Sequence, residues 1–257
     1  VASVDLQAVI FDVDGTLVDS ERDGHRPAFN RAFEEAGLPD RWDPAYYGEL
    51  LTITGGARRI AHHLQTRGMP APERDALARK LHMRKTELFA QVAASGAIPA
   101  RPGVSELIDE LRAAGLTLGV ATTGSEEWVA PLLGALFDER TFAVTITARQ
   151  APVLKPDPSA YLVALEQLGL AAAEAICVED SANGLRAARA AGLPCVIVAN
   201  DYSRGQDFTG AGLVLDGFGE ANAPARVLEN PFGVTPTGRL DVATLRAVWR
   251  AAGDAHP

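Results

Sequence analysis

Cysteine is nearly absent: Cys177 and Cys195 are the only two in 257 residues. Two cysteines build no disulfide framework, and neither has a Cys or His at metal-ligand spacing. Each lies in a short apolar segment, AICVED or LPCVIVA, where a free thiol behaves as a small buried hydrophobe. A chain that needs no disulfides suits a reducing compartment, so the expected location is the cytoplasm. Long apolar runs are also missing. None approaches the ~18 residues that cross a bilayer, which excludes a membrane-spanning helix. Residues 1–7 lack the basic stretch and apolar centre of a secretory signal. Positive charge is in deficit. The chain has 24 Lys+Arg against 33 Asp+Glu, a net −9 at pH 7, which argues against a general nucleic-acid binder. Lysine itself is scarce and occurs only at Lys80, Lys85 and Lys155. Repeats and low-complexity tracts are absent. What is there is the composition of a chain with a packed core: 47% apolar and 22% charged, with a mean hydropathy of +0.02.

Short continuous apolar runs occur at 6–11 (LQAVIF), 116–122, 142–147, 175–178, 194–199 and 213–216. Runs of this length suit strands buried on both faces. From the second run on, helical patterns separate them. Residues 102–115 predict a helix with Pro102 at its start, Gly115 at its end, and Val104, Leu107, Ile108 and Leu111 on one side. Residues 157–169 and 181–192 follow the same logic. Strand, helix, strand at this pitch means right-handed βαβ units and a parallel sheet, an α/β fold.

One stretch breaks the rhythm. A crossover needs only ~12 residues, yet 21–97 all intervene, with helical patterns and no clear strand. An inserted helical domain is expected there, with hinges at Asp19–Glu21 and Ala94–Pro99. The domains expected are 1–20 with 98–221 as the core, 21–97 as the insertion, and 222–257 as an extension. In that extension Asp241–Ala252 reads as a capped helix with Val242, Leu245, Val248 and Trp249 on one face. Residues 22–97 hold 12 basic and 9 acidic side chains, whereas the remainder holds 12 and 24. An acidic core beside a mildly basic insertion suits an anionic substrate and a cation. The plain alternative is that helical surfaces simply carry arginine.

The first apolar run ends in Phe11-Asp12-Val13-Asp14-Gly15-Thr16. Open α/β sheets bind ligands at the carboxyl ends of their strands. An ideal strand puts Asp12 and Asp14 on one face, an expensive pairing unless a cation neutralises it. Three later features fall at later strand ends. Thr122, Thr123 and Gly124 close the second run, where a hydroxyl and free N–H groups form a phosphate-oxygen site. Alone, such a Thr is an ordinary helix cap. Lys155, between apolar residues and Pro156, is a lysine in a chain whose other cations are mostly arginine, as a fixed point charge requires. Glu179 and Asp180 follow the fourth run and offer hard oxygen ligands suited to Mg²⁺; singly, they read as helix N-terminal acids.

In this order and on consecutive strands, these motifs resemble the haloacid dehalogenase superfamily. The resemblance runs from Leu6 to about Phe218. It implies a Rossmann-like parallel-sheet core with an inserted α-helical cap of the C1 type, the branch that holds phosphoglycolate phosphatase and β-phosphoglucomutase. Glu21, His25 and the stretch Tyr47 to Ile60 look closest to the CbbY-like proteins, some of which dephosphorylate xylulose 1,5-bisphosphate. The implied activity is a Mg²⁺-dependent phosphatase acting on a small sugar phosphate, a bisphosphorylated one such as xylulose 1,5-bisphosphate; the alternative is a phosphosugar mutase of the β-phosphoglucomutase kind. Asp12 would be the nucleophile that forms an aspartyl-phosphate, and Asp14 the general acid and then base. Asp12, the Asp14 carbonyl and Asp180 would hold the metal, with Glu179 behind them. Thr122 and Lys155 would hold the transferring phosphoryl group. Ser181 and Asn183 look like supports for the acidic loop.

Specificity is expected from the insertion. Thr54-Gly55-Gly56 before a helix is a candidate anion site or an ordinary turn. Arg59, one turn inside, is placed to clamp a second phosphate. Glu21 and His25 would face sugar hydroxyls, although this chain carries one residue more between them than the CbbY-like pattern. Tyr47 either faces the substrate or anchors the insertion's own core. His62 and His63, adjacent and so pointing apart, read as surface residues. Gly124 stands where the family usually has a hydroxyl, so a backbone N–H is expected to supply that contact. Partners expected are a phosphorylated sugar, no nucleic acid and no membrane, with a monomer and a homodimer both open.

Overall fold

In the computed structural model, which describes residues 5–53 and 55–255, the apolar runs form one sheet. Its strands are β1 (Ala8–Phe11), β2 (Thr117–Ala121), β3 (Val144–Ile146), β4 (Ala175–Glu179), β5 (Cys195–Val198), β6 (Leu213–Leu215) and β7 (Val227–Glu229), in the order β3-β2-β1-β4-β5-β6-β7. Strands β1 to β6 run parallel; β7 is antiparallel to β6. Every residue of β1, β4 and β5 is buried, which is why these strands read as unbroken apolar runs rather than alternating ones. The chain winds from β1 outward to β3, then returns to lay β4 on the other side of β1. That reversal is a topological switch point, where open α/β sheets bind their ligands.

The chain divides into two units, one of Val1–Asp19 with Pro99–Pro257 and one of Ser20–Ile98. In the sheet unit, α5 (Val104–Ala113), α6 (Glu126–Leu136), α7 (Ser159–Leu168) and α8 (Ala182–Ala190) connect the strands. The expected face of α5 is buried through Val104, Leu107, Ile108 and Leu111. The C-terminal stretch holds α9 (Val242–Ala255), which packs on α5 and β4. Leu245 and Val248 are fully buried. Trp249 is only half-buried and donates its indole N–H to the Ala173 carbonyl at 2.8 Å.

Two expectations need correction here. The tail adds an edge strand as well as a helix: β7 has all three residues exposed, so it shows neither an apolar run nor alternation. And β1 ends at Phe11, so Asp12 and Asp14 belong to the turn beyond it. Strand alternation therefore does not place them together; Asp12 is buried and Asp14 half-buried.

The helical unit contains α1 (Arg26–Glu35), α2 (Pro44–Leu50), α3 (Gly56–Thr66) and α4 (Ala71–Ala94), with α4 packed on both α1 and α3. Its core is aromatic: Phe29, Phe33, Trp42, Tyr47 and Phe89 are buried. Asn30 pins the loop before α2 by accepting from Trp42 N at 2.7 Å and donating to Trp42 O at 3.0 Å. The unit opens with a π-helical turn at Glu21–His25, in which the Arg26 N–H reaches the Glu21 carbonyl. One extra residue in a helical turn is absorbed this way. Among the described residues no helix is long and apolar enough to cross a membrane.

Candidate active site

Asp12 begins the turn after β1 and is anchored by its N–H to the Val178 carbonyl of β4 at 3.1 Å. Gly15, at φ 91°, closes the turn, with its N–H on the Val18 carbonyl at 2.8 Å. No other residue fits there. The left-handed backbone favours glycine, and a Cβ would overlap the Asp180 carboxylate.

Lys155 sits 143 residues along the chain from Asp12, and its ammonium bonds Asp12 Oδ1 at 2.7 Å. It also donates to the Ala121 carbonyl at 2.8 Å and to Glu179 Oε1 at 2.6 Å. An ammonium has three protons, and here each has an acceptor. The Tyr161 ring lies 4.8 Å from Nζ, and its hydroxyl donates to Glu179 Oε1 at 2.8 Å. Glu179 Oε2 accepts from the Asp180 N–H at 3.1 Å and from Ser181 Oγ at 3.3 Å. Both Glu179 oxygens are thus spent on protein donors, which makes Glu179 a buttress for Lys155 and the acidic loop.

The carboxylates of Asp12, Glu179 and Asp180 offer oxygens within 4.8 Å of one another, all three residues buried. The Lys155 ammonium, even with the Arg101 guanidinium that also acts on Asp180, does not balance three carboxylates with Asp14 nearby. Burial, with Glu179 and Asp14 adding to it and Lys155 opposing, leaves the Asp12 carboxyl pushed up to about 7. Burial also pushes Asp180 well above the ordinary aspartate value, with Glu179 and Asp12 adding to the effect. Burial works against the charge on Lys155, but Asp12 and Glu179 together outweigh it and raise its pKa. Hard oxygens carrying excess negative charge in a buried cluster fit a divalent cation.

Thr122 is buried, and its Oγ1 accepts from the Gly124 N–H at 3.0 Å. The Gly124 N–H is therefore used within the loop, not freed for a phosphate as expected. The glycine has a packing reason: a Cβ there would strike the Trp128 ring and lie 2.7 Å from Val129 Cγ2. Thr123 is half-buried beside it. Asn183 is exposed and accepts from Arg186, so it does not brace the acidic loop. Ser181 does, and it also caps α8 by accepting from Gly184 N at 3.0 Å.

The helical unit brings some of its expected residues together. The Tyr47 hydroxyl donates to Glu21 Oε2, and Tyr47 is fully buried. Arg59 Nε donates to the Ile53 carbonyl at 2.9 Å, and Nη1 lies 3.5 Å from the Tyr47 hydroxyl and 3.9 Å from Glu21 Oε1. His25 goes elsewhere. Its Nδ1 is 2.7 Å from Lys85 Nζ and its ring lies 3.7 Å from that of Phe89. Gly55 precedes α3 at φ 96°. Gly56 is small for packing: a Cβ would lie 2.7 Å from His82 Nδ1 and 3.1 Å from Phe29. Thr54 lies outside the described residues. His63 is not a surface residue. Its Nε2 meets Asp40 Oδ1 at 2.7 Å and its Nδ1 meets the Tyr46 hydroxyl at 2.9 Å, while His62 is exposed.

Sequence reasoning missed Tyr161, Arg101 and Asn200. Arg101 is buried and bonds the Gly15 carbonyl at 2.5 Å; Asn200 bonds Asp180 Oδ2 at 2.7 Å. Asn200 follows β5, so the carboxyl-end rule alone would have flagged it.

Comparison with known proteins agrees with this geometry. The sequence model for haloacid dehalogenase-like hydrolases matches residues 6–192. Protein CbbY of Cupriavidus necator is 42% identical over 253 residues, covering 94% of this chain and 96% of that protein. Protein CbbY of Cereibacter sphaeroides is 42% identical over 219 residues, covering 84% and 94%. Among solved structures, CbbY from Rhodobacter sphaeroides in complex with xylulose-(1,5)bisphosphate has a TM-score of 0.71 at 38% identity, covering 93% of this chain and 99% of that one.

Proposed function

The chain belongs to the haloacid dehalogenase-like hydrolases and is a phosphatase of that family, and from this premise we propose that it hydrolyses a sugar bisphosphate of the xylulose 1,5-bisphosphate kind through an aspartyl-phosphate, with Mg²⁺ as its cation. The observation that carries the chemistry is the tripod of Lys155 on Asp12, Glu179 and the Ala121 carbonyl at the carboxyl ends of β1, β4 and β2. The substrate class is supported by the likeness to the CbbY complex.

Asp12 and Asp180, with the Asp14 carbonyl, would hold Mg²⁺, which when bound supplies positive charge against the phosphoryl oxygens and keeps Asp12 ionised. The rest of the chemistry belongs to the chain. An Asp12 oxygen attacks phosphorus, forming the O–P bond as the bond to the sugar oxygen breaks. Asp14 gives that leaving oxygen its proton, then takes one from the water that cleaves the aspartyl-phosphate. Lys155 holds Asp12 in line and offsets charge on the transferring group. Thr122 Oγ1 accepts from Gly124 N, which leaves its own proton to donate to a phosphoryl oxygen. Glu21, Tyr47 and Arg59, which meet in the helical unit, are assigned with Thr54 and Gly55 to recognition of the sugar and its second phosphate; Thr123 is assigned to the transferring phosphate; His25, turned to Lys85 and Phe89, and Gly56, packed on His82, are not. Asn183 drops out of this set.

The test is phosphate release with and without Mg²⁺ from a panel of sugar mono- and bisphosphates, with Asp12→Asn as the blank. The expected result is strong release from a pentose bisphosphate that needs Mg²⁺ and vanishes in the variant. Release that persists in Asp12→Asn would end the aspartyl-phosphate reading. Isomerisation of a hexose phosphate without net phosphate release would replace hydrolysis by mutase chemistry.

A further inference from the structure

Two buried side chains outside the catalytic set converge on the turn that follows β1. The Gly15 carbonyl accepts from Arg101 Nη1 at 2.5 Å and from Asn200 Nδ2 at 3.2 Å. The same Asn200 nitrogen donates to Asp180 Oδ2 at 2.7 Å. One amide thus ties the turn that carries Asp12 and Asp14 to the acidic loop after β4. Asn200 is itself fixed. Its Oδ1 accepts from the N–H groups of Tyr202 at 2.8 Å and Ser203 at 3.0 Å. With two donors on its oxygen and two acceptors on its nitrogen, only one orientation of the amide satisfies every bond, and it turns the nitrogen to Asp180. Arg101 locks the same region by donating to the Val198 and Ala199 carbonyls at 2.8 Å each.

The chemistry of the donor matters. Asp180 stands among carboxylates that repel it, and a carboxylate turns easily about its last torsion. A cationic donor would hold it but would also cancel the charge that attracts a divalent cation. A neutral amide holds it and leaves that charge in place.

We propose that Asn200 is a positioning residue for Asp180, holding its carboxylate within reach of Asp12 so that the two bind a cation together. This rests on the reading of Asp12 and Asp180 as the cation's ligands. Outer partners of this sort typically change metal affinity ~10–100-fold.

The decisive variant is Asn200→Ser. Its hydroxyl still accepts from the N–H groups two and three residues on, but it is too short to reach Asp180. Mg²⁺ is titrated calorimetrically into wild type and variant without substrate, and the thermal midpoint is recorded without metal. The expected result is Mg²⁺ affinity weakened ~10–100-fold with a midpoint close to that of wild type. The Mg²⁺ concentration for half-maximal phosphate release should rise by the same factor. Asn200→Ala, which also loses the turn, should show the same weakening with a lower midpoint. Equal or tighter Mg²⁺ binding by Asn200→Ser overturns the assignment. If wild type itself takes up no Mg²⁺, the reading of the carboxylates fails and the assignment falls with it. The wild-type titration tells the two failures apart.

Discussion

Gly184 and Glu179 are fitted to each other: a Cβ on Gly184 would overlap the Glu179 carboxyl group. Gly184 lies in the first turn of α8, and its N–H is held by the Ser181 hydroxyl. The glycine therefore sets where the carboxylate that faces Lys155 and Tyr161 can stand.

Gly184→Ala sets two effects of opposite sign against each other. Helix propensity alone would stabilise the protein by about 1 kcal/mol. Overpacking against a buried carboxylate costs about 1–3 kcal/mol, and displacing Glu179 also strips Lys155 of an acceptor. The expected outcome is a lower urea midpoint together with a fall in phosphatase turnover of tenfold or more, of order one lost buried bond to a charged group. A higher midpoint with normal turnover would show that the close approach has no consequence.

Lys155→Arg separates charge from shape. The ammonium reaches three acceptors at 2.6–2.8 Å, a tripod that a planar guanidinium on a longer stem does not reproduce. Turnover should fall by roughly 100-fold or more, in line with the loss of one aligned electrostatic contact, while the circular dichroism spectrum stays native. Turnover near that of wild type would mean that any positive charge serves.

Arg59→Ala probes the second phosphate. Losing a bond to a charged group costs about 1.5–3 kcal/mol, so kcat/KM for a sugar bisphosphate should drop ~10–100-fold. For the matching monophosphate it should change far less. An equal drop for both substrates would assign Arg59 to the Tyr47–Glu21 cluster rather than to the substrate.

Asp241 caps α9, accepting from Thr244 N at 2.7 Å and from the Thr237 hydroxyl at 2.9 Å. Burial pushes its pKa up, but the bonds from the Thr244 N–H and hydroxyl and from Thr237 outweigh it and hold the pKa below the usual aspartate value. A depressed folded pKa means stability that is fully present above the unfolded value of about 3.9 and lost as pH falls through the folded value. Asp241→Ala should cost about 1 kcal/mol at pH 7, measured by urea unfolding, and the gap from wild type should narrow below pH 4. A constant gap would deny the carboxylate its role in the cap.

Much of the core could be read before folding was known. Strands buried on both faces are spelled as apolar runs, and Lys155 stood out because lysine is rare in this chain. What escaped were features whose logic lies in distant partners. Arg101 carries no local signal, and Asn200 carries only its place after a strand; they matter because both bond the Gly15 carbonyl. Asn183, inside the acidic motif, invited a role that its outward position denies. Strand β7 went unseen because an exposed edge of three residues obeys no burial pattern. His63 looked like surface because spacing cannot reveal that Asp40, 23 residues earlier, comes back to meet it.

Strand β1 comes before every other strand in the chain, yet it lies between β2 and β4. During synthesis its apolar residues must wait for neighbours that emerge much later; Thr16 and Asp180, which face each other at 3.4 Å, are 164 residues apart. Contacts of such separation are costly to close and slow to form. A nascent chain released early would thus carry a sticky, half-paired strand and no working site. For this protein, catalytic activity is a direct assay of whether β4 has docked against β1.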